Sequence, residues 1–170
     1  PQFRDRIRLY TEGVPIFSRY EIERQIEELN QDEVMLPSGG RLIIEHTEAL
    51  TAVDVNSGGL RESDPETLAT RTNLEAAIEV MRQIRLRDLG GILVIDFIDM
   101  REPRNRRAVE ESLERESAKD RAQMTILPIS RFCLVQIARQ KMRPSVQLIS
   151  HEACPACSGT GVVKNTESMG

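Results

Sequence analysis

Residues 49–58 read ALTAVDVNSG, a run of small and branched apolar residues with the alternation of a β-strand. On an extended chain, successive side chains point to opposite faces. Asp54 and Asn56 therefore share one face with Ala52, whereas Val53 lies on the other. A carboxylate and an amide thus interrupt a strand that is otherwise suited to a hydrophobic core, and the strand predicts a polar site as well as part of a sheet.

A second acid occurs in a similar place in the stretch GGILVIDFIDM (residues 90–100). This stretch is almost continuously apolar, which is typical of a strand buried on both faces. Asp96 interrupts it on the side that it shares with Ile92, Val94 and Ile98. An ionised carboxylate in an apolar core costs several kcal/mol unless it is paired or bound to a cation. We therefore expect the aspartates of the two strands to lie near strand ends that open onto a common cleft.

The two acids predict a metal site. Two carboxylates in one cleft repel each other, so that one would hold a proton unless a cation neutralises the pair. Mg²⁺ is often held by one or two carboxylates while water and phosphate oxygens complete its shell. We therefore expect Asp54 and Asp96 to hold Mg²⁺, with Asn56 orienting Asp54 or donating to a phosphate. The alternative is a pair of structural carboxylates that cap neighbouring loops. Asp99 is expected to face away from Asp96 and to pair with an arginine of REPRNRR (101–107).

The remaining side chains favour one type of chemistry. The two histidines, His46 and His151, do not stand beside a candidate nucleophile. Cleavage through a ribose 2′-hydroxyl needs a positioned acid and base, commonly histidines. A divalent cation that lowers the pKa of a water molecule needs neither, so metal-dependent phosphodiester hydrolysis fits better. An aspartate-nucleophile phosphatase fits poorly, because its two acids stand one residue apart and neither DVN nor DFID supplies that pair.

Composition indicates an ordinary globular domain with local basic clusters. The net charge of −4 gives no overall attraction to nucleic acid. REPRNRR nevertheless concentrates four arginines, which suit a polyanion or, alternatively, form a solvated helix face. The sequence has no apolar run near the roughly 18 residues of a membrane span and no signal-peptide pattern. It therefore predicts a cytoplasmic protein, and the first residue, Pro1, suggests a piece of a longer chain.

The periodic segments occur in the order β-β-α-β-α-β-α-β, which predicts a layered α/β domain. RLIIEHT (41–47) and the strand at 49–56 are close enough to pair as a hairpin. A helical stripe runs from Thr70 to about Asp88. After a charged helix, the expected elements are a strand at MTILPIS (124–130), a short helix at RFCLVQIARQ (131–140) and a last strand at SVQLIS (145–150).

The loop HEACPACSGTG (151–161) predicts a zinc site. Cys154 and Cys157 form a CxxC followed by spaced glycines, which let backbone amides approach thiolate sulfurs in a zinc knuckle. A redox role would need a helix that starts at the motif, and SGTG is a poor helix start. Two cysteines are half of the usual four ligands, so two copies of the chain are expected to share one Cys₄ zinc. Cys133 is expected to be a buried free thiol, and His151 is a less suitable third ligand.

Several motifs together resemble the catalytic region of the ribonuclease E/G family of bacterial endoribonucleases. They are LPSGG, ALTAVDVNSG, NLEAA, RQIRLRDLGGILVIDFIDM, ISRF and CPACSGTG, and they span nearly the whole chain. The resemblance implies an α/β (α+β) fold, a layered DNase-I-like subdomain with a mixed sheet and flanking helices. The implied boundaries are 1–35 for the end of an RNase-H-like subdomain, 36–150 for the DNase-I-like catalytic subdomain, 151–162 for a zinc link and 163–170 for a polar tail.

The resemblance also implies functional residues. Asp54 and Asp96 match the family's magnesium ligands, and Asn56 matches the asparagine that helps to position the site. Cys154 and Cys157 match the pair through which two protomers share Zn²⁺. Family members cut single-stranded, often A/U-rich RNA, leaving a 5′-phosphate and a 3′-hydroxyl, in mRNA decay and in rRNA and tRNA processing. The expected assembly is a homodimer, and a tetramer stays open.

Two departures from the family pattern restrict these expectations. The amino-terminal OB-type RNA-binding domain and the 5′-end sensor of the family are absent from these 170 residues, so weak or no cleavage is expected from the chain alone. Gln123 stands where family members carry an arginine that contacts an RNA 5′-monophosphate, which puts a preference for that end in doubt. The alternative hypothesis is a non-catalytic, zinc-linked dimerisation and RNA-binding module.

Overall fold

The computed structural model describes residues 6–59 and 64–141, together with Pro155. Within these residues, no helix is both long enough and apolar enough to cross a membrane. The elements are α1 (Ile16–Arg19), α2 (Ile22–Glu28), β1 (Glu33–Met35), β2 (Arg41–His46), β3 (Thr51–Asn56), α3 (Pro65–Leu86), β4 (Gly91–Asp96), α4 (Pro103–Ser117), β5 (Met124–Ile126) and β6 (Leu134–Arg139).

The six strands form one mixed sheet in the order β1-β2-β3-β4-β6-β5. β3 and β4 are parallel, and the other neighbouring pairs are antiparallel. The predicted hairpin of β2 and β3 is confirmed, with Ile43 opposite Asp54. Helix α3 makes the crossover between the two parallel strands, as a parallel pair requires. The predicted α/β fold with a mixed sheet and flanking helices is therefore confirmed.

Helices α3 and α4 pack together over one face of the sheet. The charged helix expected from the sequence is α4, and its apolar residues Val109 and Leu113 are fully buried there. The prediction that β4 is buried on both faces is wrong for the described chain. Leu93 and Ile95 point into the core, whereas Ile92 on the opposite face is 56% exposed. The aspartates of β3 and β4 lie on this open face, so their charges do not enter the core.

The prediction of a helix at RFCLVQIARQ is wrong, because its central residues form strand β6. Val135 and Ile137 are buried while Gln136 between them is exposed, which is the period-two alternation of a strand. The turn before the strand ends at Cys133, which has a positive φ of 57°. Cys133 is a buried free thiol, as predicted. The predicted strand at 145–150 lies outside the described residues.

Helix α3 begins earlier than the predicted Thr70. Asp64 is its N-cap, and its carboxylate accepts hydrogen bonds from the amides of Glu66 and Thr67 at 3.2 and 3.1 Å. Pro65 follows at the first helical position, where the missing N–H costs nothing. The predicted start at Thr70 thus missed the cap and first turn of the helix, which lie beside the loop that follows β4.

Candidate functional site

The two predicted aspartates converge. β3 and β4 are adjacent and parallel, and Asp54 is paired with Asp96 in the register of the sheet. Because both strands run in the same direction, their carboxyl ends meet at one edge, and neighbouring strands lie about 4.8 Å apart. Val53 and Ile95, one residue earlier on each strand, point into the core. Both carboxylates therefore project from the open face of the sheet, where solvent and a ligand can reach them.

The carboxylates line a shallow cleft of about 340 Å³. Asn56, two residues after Asp54 and on the same face, donates a hydrogen bond from Nδ2 to Asp54 Oδ2 at 2.6 Å. The predicted role of Asn56 in orienting Asp54 is thus present in the geometry. Ser57 and Asp99 also line the cleft.

The electrostatics of the cleft favour a cation. The side chain of Asp96 reaches solvent, but neighbouring atoms of the cleft shield it partly from water. This desolvation raises the pKa of Asp96. The negative charges of Asp54 and Asp99 raise that pKa further. The prediction that Asp99 faces away and pairs with an arginine is wrong. β4 ends at Asp96, so the chain is free to turn Asp99 back into the cleft, and Asp99 makes no ion pair within the described ranges.

The donor set fits a hard divalent cation that keeps most of its water. Among residues 6–59 and 64–141, no group of three or more histidine, cysteine, aspartate or glutamate side chains is arranged to hold a metal. The cleft instead offers the carboxylate oxygens of Asp54 and Asp96, with Asn56 beside them. Mg²⁺ is commonly held by one or two carboxylates, with water and phosphate completing six ligands. The residues present therefore fit Mg²⁺.

The segment after Asp96 is fixed by a buried amide that the sequence analysis did not identify. Asn73, in the middle of α3, donates from Nδ2 to the Ile98 carbonyl at 2.8 Å and accepts from the Ile98 amide at 3.0 Å. Its side chain is fully buried. Cys133 adds a second support, because its sulfur accepts from the Met100 amide at 3.2 Å. The signal in the sequence was that Asn73, a polar residue, stands beside the apolar stripe of α3, where a buried side chain needs hydrogen-bond partners.

The first turn of α3 also holds the start of α4. Glu66 accepts hydrogen bonds from the amides of Arg101 and Glu102 at 2.9 and 3.1 Å, and from Asn105 Nδ2 at 2.7 Å. The two amide bonds and the Asn105 bond lower the pKa of Glu66. The carboxylate thus caps the N-terminus of α4, where negative charge is stabilising. The loop between β4 and α4 is therefore fixed at several points of its backbone.

Two glycine-rich turns pack against the end of β3. A Cβ atom at Gly40 would lie 2.8 Å from the carbonyl oxygen of Asn56. Gly58 has a positive φ of 66°, and a Cβ there would lie 2.6 Å from the carbonyl oxygen of Gly39. Only glycine permits this close approach. The PSGG and NSGG turns thus brace each other and hold Asn56 at the cleft.

The arginine patch is partly structural. Arg106 donates from Nη1 to the carbonyl oxygens of Met100 and Arg101, and so belongs to the loop. Arg104 and Arg107 are exposed. The sequence analysis also missed Arg41, which lies directly opposite Asn56 on β2 and contacts Glu33 at 3.4 Å. The signal available in the sequence was that Arg41, a charged residue, begins the strand that was expected to pair with the strand of Asp54 and Asn56.

Other predicted residues lie elsewhere. Gln123 is exposed and lies just before β5. The start of β5 pairs with the end of β6, and the end of β6 also pairs with the start of β4. It is therefore at the far end of the sheet from Asp96. Cys154, Cys157 and His151 lie outside the described residues, so the zinc site stays a prediction.

Comparison with known proteins places the chain in a family. The sequence model of the Ribonuclease E/G family matches residues 1–142. The chain is 54% identical over 170 residues to Ribonuclease E of Escherichia coli K12, covering 99% of this chain and 16% of that protein. It is 40% identical over 172 residues to Ribonuclease G of the same strain, covering 99% of the chain and 35% of that protein. A chloroplastic Ribonuclease E/G-like protein of Arabidopsis thaliana is 41% identical over 171 residues, with 99% of the chain and 17% of that protein covered.

The chain belongs to the Ribonuclease E/G family, since the family model matches most of its length. The chain spans about a sixth of the length of the Ribonuclease E it matches and about a third of the Ribonuclease G. The activity of a whole protein that contains it is therefore a matter for proposal.

Proposed function

We propose that the chain is the catalytic core of a Mg²⁺-dependent endoribonuclease that hydrolyses single-stranded RNA to 5′-phosphate and 3′-hydroxyl ends. The observation that carries this proposal is the in-register pair of Asp54 and Asp96 on the open face of the sheet. Relatives named Ribonuclease E and Ribonuclease G support the substrate class. By the same resemblance, we place the protein in the cytoplasm, in mRNA decay and in rRNA and tRNA processing.

The hydrogen bonds of the two aspartates argue against a purely structural role. Structural carboxylates of this fold are saturated with backbone donors, as Asp64 and Glu66 are at the starts of α3 and α4. Asp54, in the described part of the chain, accepts from Asn56 alone, and Asp96 accepts no hydrogen bond there. Their lone pairs are free to bind a ligand. This contrast favours a metal site over the alternative of loop-capping acids.

Each side chain has a distinct part in the reaction. Asp54 and Asp96 supply the negative oxygens, and the Asn56 amide holds Asp54 in one orientation. Asp54 and Asp96 would hold Mg²⁺, which would act as a Lewis acid by neutralising phosphate charge and lowering the pKa of a water molecule. Arg41, on the strand beside Asn56, is placed to attract the phosphate backbone. The clamp from Asn73 to Ile98 keeps the Asp96 segment from moving when charge develops.

The first test is the substitution Asp54→Asn in the intact protein, which keeps the shape of the side chain and removes its charge. We expect RNA cleavage to fall by at least about a hundredfold, because the variant loses one of the two carboxylates that would hold a cation, and such a cation stabilises transition-state charge by several kcal/mol. Mn²⁺ binding, measured by electron paramagnetic resonance, should weaken in parallel. The matched control is Glu111→Gln, an exposed carboxylate on α4.

The alternative function is a non-catalytic, zinc-linked dimerisation and RNA-binding module. It predicts that Asp54→Asn leaves Mg²⁺-dependent cleavage unchanged while RNA binding persists. Unchanged cleavage with a folded protein would end the catalytic assignment. The 170-residue chain by itself is expected to cleave weakly or not at all, so the comparison requires the longer protein.

A further inference from the structure

A second cleft adjoins the cleft that contains Asp54 and Asp96, and Asp99 lines both clefts. It encloses about 590 Å³, and its other walls include Met100, Arg101, Arg131 and Phe132. This volume falls in the roughly 300–1,000 Å³ range of small-molecule sites. The two clefts therefore meet at Asp99, beside the end of β4 and the start of β6, with the carboxylates of Asp54 and Asp96 in one cleft and an aromatic ring in the other.

Phe132 is the most exposed aromatic side chain of the described residues, at 77%. The turn that presents it is well fixed. Ser130 Oγ accepts from the Phe132 amide at 3.2 Å and from the Leu134 amide at 3.1 Å. The next residue, Cys133, is 1% exposed and anchors the turn to the Met100 amide. A rigid turn that holds a large apolar ring in solvent offers a flat surface for stacking.

The charges around the ring suit an anion beside the stacked group. Arg101 and Arg131 are exposed, and neither makes an ion pair with the residues that the structure describes. Two of the three acids that line this cleft are engaged, because Glu66 caps α4 and Asp64 caps α3, whereas the third, Asp99, also lines the cleft of Asp54 and Asp96. Within the described residues, the guanidinium groups of Arg101 and Arg131 are therefore positive charges beside the ring that no carboxylate pairs with.

We propose that this second cleft is a nucleotide-binding subsite, in which an unpaired RNA base stacks on Phe132 and the neighbouring phosphate contacts Arg131 and Arg101. The proposal rests on the proposed function, and it assigns the RNA nucleotide next to the scissile phosphate to this position. A flat ring and a cation beside it are the usual elements of single-strand recognition, because every base has a face that stacks. A base in a duplex cannot expose that face, so the subsite selects single-stranded RNA.

The stacking arm of the test uses the intact protein with Asp54→Asn, so that RNA stays uncut during binding. Single-stranded oligoribonucleotides carry 2-aminopurine at successive positions, and stacking quenches its fluorescence. We expect strong quenching at one position. Phe132→Ala should abolish it and weaken binding roughly tenfold, as for loss of one base-stacking ring. Phe132→Tyr should keep it. The matched control is Phe17→Ala, a half-exposed phenylalanine of α1.

The charge arm uses Arg131→Ala. Losing one phosphate contact to a single strand should reduce the slope of log affinity against log salt by about 0.7. Arg115→Ala, at the far end of α4, should leave the slope unchanged. In the otherwise unsubstituted protein, Phe132→Ala should raise KM for cleavage about tenfold and leave kcat nearly unchanged, since stacking contributes to ground-state binding.

The outcomes separate this proposal from the proposed function. If Asp54→Asn abolishes cleavage but Phe132→Ala and Arg131→Ala bind RNA like the parent, the subsite is wrong and the nuclease assignment stands. If Phe132→Ala lowers the melting temperature and leaves quenching intact, the ring is a packing contact and the subsite is wrong. If Asp54→Asn still cleaves RNA, the proposed function fails, and the subsite that rests on it fails too.

Discussion

Asn73 is a buried amide on α3, and both of its hydrogen bonds go to the backbone of one residue, Ile98. The segment between β4 and α4 pairs with no strand of the described sheet, so its backbone groups need side-chain partners when they are buried. Asn73 supplies one donor and one acceptor in the required geometry. The motif NLEAA thus contains a residue whose role is to hold the loop that carries Asp99.

We predict that Asn73→Leu destabilises the protein by roughly 2–4 kcal/mol. Leucine has a similar size, but it leaves the Ile98 amide and carbonyl buried without partners, at about 1–3 kcal/mol each. Urea unfolding followed by circular dichroism measures the change. Ile78→Ala on the exposed side of the same helix should cost less. An unfolding free energy like that of the parent would show that Ile98 finds other partners.

Three polar residues of the candidate cleft could be singled out from the sequence because each interrupts a strand pattern. Asp54, Asn56 and Asp96 stand at positions where an apolar residue is expected, and that is a local signal. Phe132 and Asp99 gave no such signal. Their positions depend on where strands end and how turns fold back, which are properties of the tertiary structure.

Among the elements, β6 shows why a strand was mistaken for a helix. The apolar residues of RFCLVQIARQ are compatible with either period, and the buried face of the strand ends in a charged residue, Arg139. Arg139 is 6% exposed because it pairs with Asp88 and Asp120, both at 2.9 Å, and donates to the Leu89 carbonyl at 2.8 Å. Those partners come from distant parts of the chain. The sequence alone could not indicate that an arginine belongs to the core side.

The same ion pair predicts a pH dependence of stability. Burial by itself raises the pKa of Asp120, but the hydrogen bonds from Arg139 and from the Ala122 amide outweigh it, so that the pKa is lowered overall. An unfolded aspartate titrates near about 3.9. The contribution of Asp120 to stability is therefore complete above about pH 4 and is lost as the pH falls through the lower folded pKa.

We accordingly expect Asp120→Asn to cost about 3–5 kcal/mol near neutral pH, because it leaves a buried arginine with one partner fewer. Both side chains of the pair are 4% exposed, so solvent does not compensate. Urea unfolding at several pH values between 6 and 3 should show a flatter acid dependence in the variant. Glu111→Gln, at an exposed position, serves as the control. Parallel pH curves for variant and parent would contradict this account.

At the scale of the whole molecule, one topological feature creates the candidate site. β3 and β4 are the parallel neighbours of the described sheet, and α3 connects them across one face. A crossover of this kind returns the chain to the same edge, so the carboxyl ends of both strands must meet. Asp54 and Asp96 are far apart in sequence and adjacent in space for this reason. Within the described ranges, the second face is open because α3 and α4 cover only the first.

Assembly is the property of the molecule that we expect to depend on the CPAC motif, whose two cysteines lie outside the described residues. One CxxC supplies Cys154 and Cys157, and a structural zinc site uses four ligands. We expect two chains to share one ion, which gives about one zinc per two chains. Native mass spectrometry with metal analysis should show a zinc-containing dimer that Cys154→Ser or a strong chelator splits. Cys133→Ala, at the buried third cysteine, should keep both zinc and dimer. A metal-free dimer of unchanged mass in sedimentation would exclude the shared site.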